Sequence, residues 1–386
     1  MKRILFRLLF AAVLAACIPA VSSAAPGDGQ AGSLDTLRRE VKGIRKILAA
    51  LPRLSGYGQV GYQYETNRGG VEGDDASTFM VKRVRLIMTG DISKVFEYKM
   101  QLEGNSTSRG SDSKALISMQ DWYFKAKICP ALQIWAGQFP IPLTIENYDI
   151  SPGTLETPDF SAAINKMVCR NAVSGILTYG RDIGLQATGG FLRREGYSIL
   201  DYNLCVYNGA QMNSADDNQA KDIVARLTVR PIRDLRISGS VNWGEYPNAK
   251  YGKYIPMTRY AVGAWYDSDG LMVRGEYAHA GADTGFGEKG TARVDEHMYY
   301  VIAGYKIRGK YMPLLRYDVF DCKRNTCLGG AGKQQDFLVG FLWTPLSRLK
   351  VQADYTLSTY DANRNSSADF GTRSGSKLQL MVIGYF

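Results

Sequence analysis

The final ten residues, Lys377-Leu-Gln-Leu-Met-Val-Ile-Gly-Tyr-Phe386, favour an extended strand with two different faces. Side chains of a strand alternate between its two sides, so every second residue lies on the same face. One face is apolar and carries Leu378, Leu380, Val382, Gly384 and Phe386. The other face begins with Lys377 and Gln379 and becomes less polar towards Tyr385. Such a strand either closes a membrane barrel, which leaves no unpaired edge, or ends a soluble sheet.

The same alternation recurs along the chain after residue 54, for example in residues 96–103 and 349–357. The connections between these segments are alternately short and long, which is the pattern of bacterial outer-membrane barrels. We count about sixteen segments of roughly ten to thirteen residues, long enough to cross a bilayer when tilted. Residues 54–386 are therefore predicted to form an all-β, antiparallel transmembrane barrel of about sixteen strands. The sequence contains no run of about 18 apolar residues, so we predict no transmembrane helix.

One connection, residues 140–179, is far longer than ordinary loops, and a loop of this length is either functional or disordered. In a barrel it can fold inward and constrict the channel. Its acidic residues fit poorly with a filter for anions; they are Glu146, Asp149, Glu156 and Asp159.

The bulk composition agrees with a secreted barrel. Of 386 residues, 41 are Gly and 24 are Tyr, and the net charge is +10. Many glycines and tyrosines suit a barrel with aromatic girdles. A basic surplus favours anionic partners, and secretion makes nucleic acid an unsuitable one.

Residues 1–25 have the features of a secretory signal peptide: a basic start, an apolar core and small residues for cleavage. An alternative is a lipoprotein cleavage box in which Cys17 accepts the lipid. Residues 26–53 contain a heptad seam between Leu34 and Leu51, which predicts a periplasmic helical, coiled-coil-like segment. A lone amphipathic helix on the membrane surface is the alternative.

Basic residues recur on the polar faces of the predicted strands and form a candidate anion-binding lumen. Arg83 and Arg85 lie two residues apart on one face, and guanidinium groups so placed repel each other unless an anion lies between them. For any single residue, a pair with a wall carboxylate is the alternative; Asp318 is such a partner for Arg316, and Glu276 for Arg274. The full candidate set is Arg83, Arg85, Lys99, Lys125, Arg226, Arg230, Arg236, Arg259, Arg274 and Arg316.

A series of short motifs gives a more specific indication. In order they are Phe79-x-x-x-Arg83-x-Arg85-Leu86, Gln120-Asp121-x-Tyr123, Ala136-Gly-Gln-Phe139-x-x-Pro142, Gly180-Arg-Asp-Ile-Gly184, Val206-Tyr-Asn-Gly209 and Leu314-x-Arg316-Tyr-Asp318. Together they resemble the phosphate-selective porin O and P family, from about residue 54 to the end. Pro140 and the acidic long loop depart from that family's pattern.

The resemblance implies a sixteen-stranded porin of the bacterial outer membrane, usually a homotrimer, whose lumen passes phosphate or related anions. It also implies that Arg83 and Arg85 belong to the basic lumen and that the leading helical segment is a periplasmic trimer coil. The expected partners are the lipid bilayer, lipopolysaccharide and small anions such as phosphate. A general porin without anion preference, or a barrel with a structural or adhesive role, remains the alternative.

Enzyme chemistry and cofactor binding have little support in the sequence. The glycine pattern of residues 285–290 follows no βα unit, as a dinucleotide site would require. His279 and His297 are the only histidines and lack the spacing of a metal site. We therefore predict no catalysis, cofactor or metal. Cys322 and Cys327 share one outer loop and are predicted to form a disulfide in an oxidising compartment.

Overall fold

The computed structural model describes residues 37–43, 51–105, 116–168, 180–210, 212–216, 218–248, 253–283, 293–322, 331–362 and 373–386. The chain divides into two compact units, Met1–Leu51 and Pro52–Phe386. In the first unit, residues 37–43 are helical and exposed. The predicted signal peptide, Cys17 and half of the heptad positions, Leu34, Ile44 and Leu48, lie outside the described residues.

The second unit is a closed antiparallel barrel of sixteen strands, in which each strand pairs with its neighbours in sequence and β1 pairs with β16. The strands are β1 (Arg53–Thr66), β2 (Ala76–Asp91), β3 (Phe96–Asn105), β4 (Leu116–Cys129), β5 (Leu132–Pro140), β6 (Arg181–Arg194), β7 (Tyr197–Tyr207), β8 (Asp222–Ile232), β9 (Leu235–Asn248), β10 (Lys253–Ser268), β11 (Leu271–Asp283), β12 (Arg293–Tyr305), β13 (Tyr311–Cys322), β14 (Ala331–Leu346), β15 (Leu349–Ala362) and β16 (Arg373–Tyr385). This architecture confirms the predicted fold class.

Three short helical elements lie in the connections. Arg68–Gly70 forms a single 3-10 turn after β1, and the long connection between β5 and β6 contains α1 (Ile145–Asp149) and α2 (Ala162–Val168). Among the described residues, no helix is long and apolar enough to cross a bilayer.

The terminal strand closes the barrel as its alternation predicts. The register of β16 on β1 runs from Tyr57 opposite Tyr385 to Thr66 opposite Ser376. Leu380, Val382 and Phe386 on the apolar face are exposed to the outside. Because lipid cannot satisfy a bare strand edge, this pairing is what allows the sheet to span a membrane.

The inward face is less uniformly polar than the alternation of the sequence suggests. Ile302, Leu314 and Leu338 lie on neighbouring strands and are fully buried inside the barrel, as is Met298. They belong to one apolar cluster with residues of α2. One sector of the inner wall, on β12 to β14, is therefore a packing surface for the long loop.

Several of the short connections turn at two residues that both have positive φ. Glu195 and Gly196 have φ of 47° and 88°, and Arg308 and Gly309 have 52° and 66°. Tight hairpin turns of this conformation match the twist of the flanking strands, and glycine tolerates it without strain. These turns keep one end of the barrel compact.

Closure of the barrel predicts a sharp difference between two glycines of β1. A Cβ at Gly61 would lie 2.0 Å from the carbonyl oxygen of Leu380 on β16, whereas nothing lies within 4 Å of a Cβ at Gly58. We expect Gly61→Ala to destabilise the folded barrel by about 1–3 kcal/mol, because backbone must shift. The measurement is the temperature at which the folded gel band converts to the unfolded one.

Gly58→Ala is the matched control and is expected to keep the wild-type conversion temperature. Equal conversion temperatures for the two variants would contradict the register of β1 on β16.

Candidate functional site

The described part of the long loop between β5 and β6, residues 141–168, lies inside the barrel. It contacts strands on opposite sides of the wall: Asp149 meets Arg226 of β8, and Asp159 meets Lys82 of β2 and Lys377 of β16. A single segment can touch both sides only by crossing the lumen. The loop therefore narrows the channel.

The two ends of the long loop are hydrogen-bonded to each other, where β5 ends and β6 begins. The amide of Ile141 donates to the carbonyl of Gly180 at 2.8 Å, and Asn147 donates to the carbonyls of both residues at 2.8 and 3.1 Å. Gly180 has a φ of +54°, and a Cβ there would lie 2.3 Å from Oδ1 of Asn147. The glycine thus permits the close approach that turns the chain inward.

Helix α1 is held by a carboxylate of the wall. Glu276 on β11 accepts from the amides of Ile145 and Glu146 at 2.5 and 3.0 Å, and from the hydroxyl of Tyr300 at 3.0 Å. Thr144 caps the same helix by accepting from the amide of Asn147. The predicted pair of Glu276 with Arg274 is wrong, because Glu276 is occupied by the start of α1.

Arg274 instead binds acids of the loop. Its Nη2 lies 2.8 Å from Glu156 Oε2 and 3.9 Å from Glu146 Oε1, and its Nε donates to Tyr300. The guanidinium is completely buried. A buried charge is tolerated only when it is paired and hydrogen-bonded, so Arg274 and the loop depend on each other.

A second buried ion pair fixes the end of α1. Arg226 on β8 forms two hydrogen bonds to the carboxylate of Asp149, at 2.6 and 3.2 Å, and lies over the ring of Tyr148. A planar guanidinium matches a carboxylate in this two-bond arrangement. The hydroxyl of Tyr148 accepts from the amides of Gln186 and Asn203, on β6 and β7.

Apolar packing holds the second half of the described loop. Ile164 and Met167 of α2 are fully buried in the same cluster as Met298 and Leu314 of the inner wall. The carbonyls of Met167 and Val168 accept from Arg259 of β10 at 3.1 and 3.2 Å. The inward apolar residues that interrupt the polar alternation therefore form the surface on which α2 packs.

Asp159 is the meeting point of several basic side chains. Lys82 Nζ lies 2.5 Å from its carboxylate and Lys377 Nζ lies 3.0 Å away, while Gln379 donates at 2.9 Å. Arg316 donates to the backbone carbonyl of Asp159 at 2.8 Å. Arg83 is also close enough to act on Asp159 electrostatically. We call Lys82, Arg83, Lys377 and Asp159 the Asp159 junction.

A β-bulge explains why sequence reasoning missed Lys82. Gln59 pairs with Arg83, and the next residue, Val60, pairs with Val81, so Lys82 is the extra residue. A bulge breaks the period of two locally and lets consecutive side chains reach the same side. Strict alternation from Arg85 and Arg83 places Lys82 on the lipid face, whereas its ion pair with Asp159 is in the lumen.

The structure places all ten candidate cations on the inward face, but most are already paired with carboxylates. Arg316 pairs with Asp318 at 3.1 Å, as its spacing predicts. Arg83 and Arg236 form no ion pair with a described residue; Arg236 lies over the ring of Trp265. The other pairs are Arg85 with Glu103, Lys99 with Asp121, Lys125 with Glu97, Arg226 with Asp149, Arg230 with Asp201, Arg259 with Asp222 and Arg274 with Glu156 and Glu146.

The loop acids differ in how their surroundings change their pKa values. Burial disfavours the charge of Asp159, but Lys377 and Lys82 outweigh it and hold its pKa well below the ordinary value of 3.8. Burial likewise opposes ionisation of Glu156, and Arg274 outweighs it, so the pKa is lowered. For Glu146 burial wins over Arg274 and Arg316, and the pKa is raised. Asp159 and Glu156 are thus the loop's firmly ionised anchors.

The predicted disulfide remains a prediction, because Cys327 and the side chain of Cys322 lie outside the described residues. Within the described part of the chain, Cys129 and Cys205 are free thiols, and Cys205 is buried with Gln186 as its acceptor. The same part contains no group of three or more His, Cys, Asp and Glu that could hold a metal ion.

Comparison with protein families gives one match that covers more than half of the chain. Residues 54–264 match the family described as phosphate-selective porin O and P. No curated protein sequence matches the chain.

Solved structures with the same fold are outer-membrane porins. The anion-selective porin from Comamonas acidovorans is 14% identical, with a TM-score of 0.61 over 87% of this chain and 99% of that one. The outer-membrane channel DcaP of Acinetobacter baumannii is 13% identical, with a TM-score of 0.60 over 87% and 97% of the two chains. OmpF of Salmonella typhi, solved with daunomycin, is 14% identical, with a TM-score of 0.63 over 87% and 97%.

The low pKa of Asp159 predicts that the junction resists mild acid. A group whose pKa is depressed on folding stabilises the structure above its ordinary pKa, here 3.8, and loses this effect only as pH falls through the lowered value. We expect Asp159→Asn to change the single-channel conductance by the same factor at pH 7 and at pH 4, where an aspartate with the ordinary pKa would be partly protonated.

Lys221→Gln, in an exposed outer loop, serves as the charge-changing control for that experiment. An effect of Asp159→Asn that is present at pH 7 and lost at pH 4 would show that the pKa of Asp159 is not lowered.

Proposed function

Because the chain belongs to the phosphate-selective porin O and P family of bacterial outer-membrane porins, we propose that it passes small anionic solutes of the phosphate type by passive diffusion. The observation that supports the proposal is an arginine beside the Asp159 junction's lysines that has no ion-pair partner among the described residues. Lys82 and Lys377 share the carboxylate of Asp159, with Asp354 and Glu65 as further acids near them, whereas Arg83 forms no ion pair in the described part of the chain.

The junction matters for selectivity because most other cations of the wall are paired with carboxylates. Acids of the loop and the wall neutralise the arginines at the centre of the lumen, including Arg226 and Arg274. A neutralised guanidinium attracts a passing anion weakly, because the partner carboxylate repels the anion in turn. Selectivity then depends on the cations that exceed their carboxylate partners.

Arg83 and Arg236 are the clearest of these surplus cations. Each is partly exposed and has no described carboxylate as an ion-pair partner. A guanidinium stays charged at every relevant pH and presents paired donors to the oxygens of a phosphate-like anion. Arg236 follows a short turn, whereas Arg83 lies in the middle of β2. An anion crossing the barrel would meet the two groups in succession.

The mechanism requires only diffusion through a charged constriction. A solute that enters the narrow region loses part of its water shell, and the surplus cations replace some of that stabilisation. Binding must remain weak enough for the solute to leave. The family and the fold are those of non-enzymatic channels, so no covalent step is needed.

A general porin without anion preference is the second candidate function. It is favoured by the pairing of eight of the ten candidate cations with carboxylates. The two candidates differ in the ion preference of the open channel, and a barrel with a purely structural or adhesive role would show no conductance.

We further propose that the mature protein is a homotrimer that begins after a signal peptide of residues 1–25 and carries a periplasmic helical segment before the barrel. A trimer form is described for OmpT of Vibrio cholerae, which has a TM-score of 0.56 to this chain. Chemical cross-linking of the protein in mild detergent tests the assembly: a limiting band of three protomers supports a trimer, and a limiting monomer or dimer refutes it.

Ion preference of the reconstituted channel tests the main proposal. In a potassium chloride gradient at neutral pH, we expect a reversal potential that reports anion preference, and phosphate is expected to block part of the chloride current. Arg83→Ala should lower the anion-to-cation permeability ratio by about two- to five-fold, the effect of removing one partly hydrated charge. Arg68→Ala, in an outer loop and paired with Asp74, is the control and should keep the wild-type ratio.

Cation preference of the wild-type channel would contradict the proposal. An unchanged ratio in Arg83→Ala would remove this residue from the selectivity mechanism and favour a general porin.

A further inference from the structure

The short-turn end of the barrel repeats one combination of side chains. Ile92, Ile232, Ile307 and Leu346 are large aliphatic residues of four different turns, and between 45% and 64% of each is exposed. Each is followed within two residues by an exposed cation: Lys94, Arg233, Arg308 and Arg348, respectively. We call these eight residues the turn ring.

Three of the four aliphatic members of the ring face outward. Ile232 is paired with Leu235, Leu346 with Leu349, and Ile307 with Tyr311, and the three partners lie on the lipid-facing side of their strands. Paired residues of neighbouring strands point to the same side of a sheet. The exposed aliphatic surface is therefore turned to the surroundings of the barrel and away from the lumen.

Aromatic side chains indicate where this end of the barrel meets the membrane interface. Tyr305 and Trp343 are exposed on the outer face, two residues before Ile307 and three before Leu346, and Tyr311, on the strand that follows, is exposed there too. Outward aromatic residues at strand ends form the girdle that lies at the membrane interface. Ile307 and Leu346 thus lie at the edge of the bilayer, and the cations that follow lie at the level of the lipid head groups.

The cations of the ring are available for an external partner. Lys94, Arg233, Arg308 and Arg348 form no ion pair with a described residue. Other charges of this rim are already matched: Lys306 binds Asp267 at 3.1 Å. Arg193, Arg194 and Lys310 add exposed cations, and Glu195, Asp234 and Asp269 are the opposing acids at the turn tips. The rim keeps a surplus of positive charge.

We propose that the turn ring binds the head groups of anionic phospholipids in the periplasmic leaflet. In outer-membrane barrels the short turns are periplasmic, so this is the leaflet that the ring meets. The aliphatic side chain contacts the first carbons of the acyl chains, and the neighbouring Lys or Arg reaches the phosphate, which is how amphipathic pairs behave at interfaces. A hydrated polyanion such as the cell wall would match the cations but leave the aliphatic residues exposed to water.

Lipid selectivity of the full mature protein tests the proposal. The probes are phosphatidylglycerol and phosphatidylcholine with identical acyl chains, offered in equal amounts in mixed nanodiscs, and native mass spectrometry counts the lipids that the protein retains. We expect about five-fold preference for phosphatidylglycerol per site, from the usual attraction of one cation near an anionic surface. The preference should fall as salt rises, because these sites are exposed.

A quadruple variant, the ring variant, should lose this preference while its folded gel mobility stays normal. It carries Lys94→Gln, Arg233→Gln, Arg308→Gln and Arg348→Gln. The matched control replaces four cations at the opposite rim with Gln, namely Arg68, Lys221, Lys333 and Arg373, and should keep it. A variant with Ser at Ile92, Ile232, Ile307 and Leu346 should retain fewer lipids of both kinds.

Three results would overturn the proposal. The first is equal lipid preference in the ring variant and the wild type. The second is unchanged lipid retention in the serine variant. The third is no lipid preference in the wild type together with sedimentation on purified cell-wall sacculi that the ring variant loses, which would assign the ring to the wall polymer.

Discussion

The pairing of loop carboxylates with cations of the barrel wall is the interaction on which the interior depends. Arg226 and Arg274 are almost completely shielded from water, and each would carry an uncompensated charge without Asp149, Glu156 and Glu146. Removing one partner of such a pair typically costs about 3–5 kcal/mol. The wall and the loop therefore hold each other: the wall cations position the loop, and the loop acids make buried wall cations tolerable.

This dependence changes how a basic lumen is understood. An arginine on the inner wall of a porin contributes to anion preference only to the extent that its charge exceeds that of its partners. At the Asp159 junction, Lys82 and Lys377 share one loop carboxylate, and Arg83 has no ion-pair partner among the described residues. Arg274, in contrast, is paired with Glu156 of the loop. The acidic loop is thus compatible with an anion channel, because its charges are used for docking.

The sequence predicts the barrel well and its interior poorly, for definite physical reasons. The period of two places Leu380 and Val382 outside, because alternation depends only on neighbouring residues. It fails at Lys82, where a bulge shifts the register. Local spacing correctly pairs Arg316 with Asp318 but wrongly pairs Arg274 with Glu276, since the loop supplies competing partners more than 100 residues away in sequence.

A double-mutant cycle on Arg226 and Asp149 tests most directly whether loop and wall are held together by charge. The free energy of unfolding in lipid vesicles would be measured for Arg226→Met, Asp149→Asn and the double variant. The account predicts that the double variant loses less than the sum of the single losses, by at least about 1 kcal/mol, because each single variant leaves a buried polar group without its partner. Additive losses would contradict it and would mean that the pair of Arg226 and Asp149 does not hold the loop in the lumen.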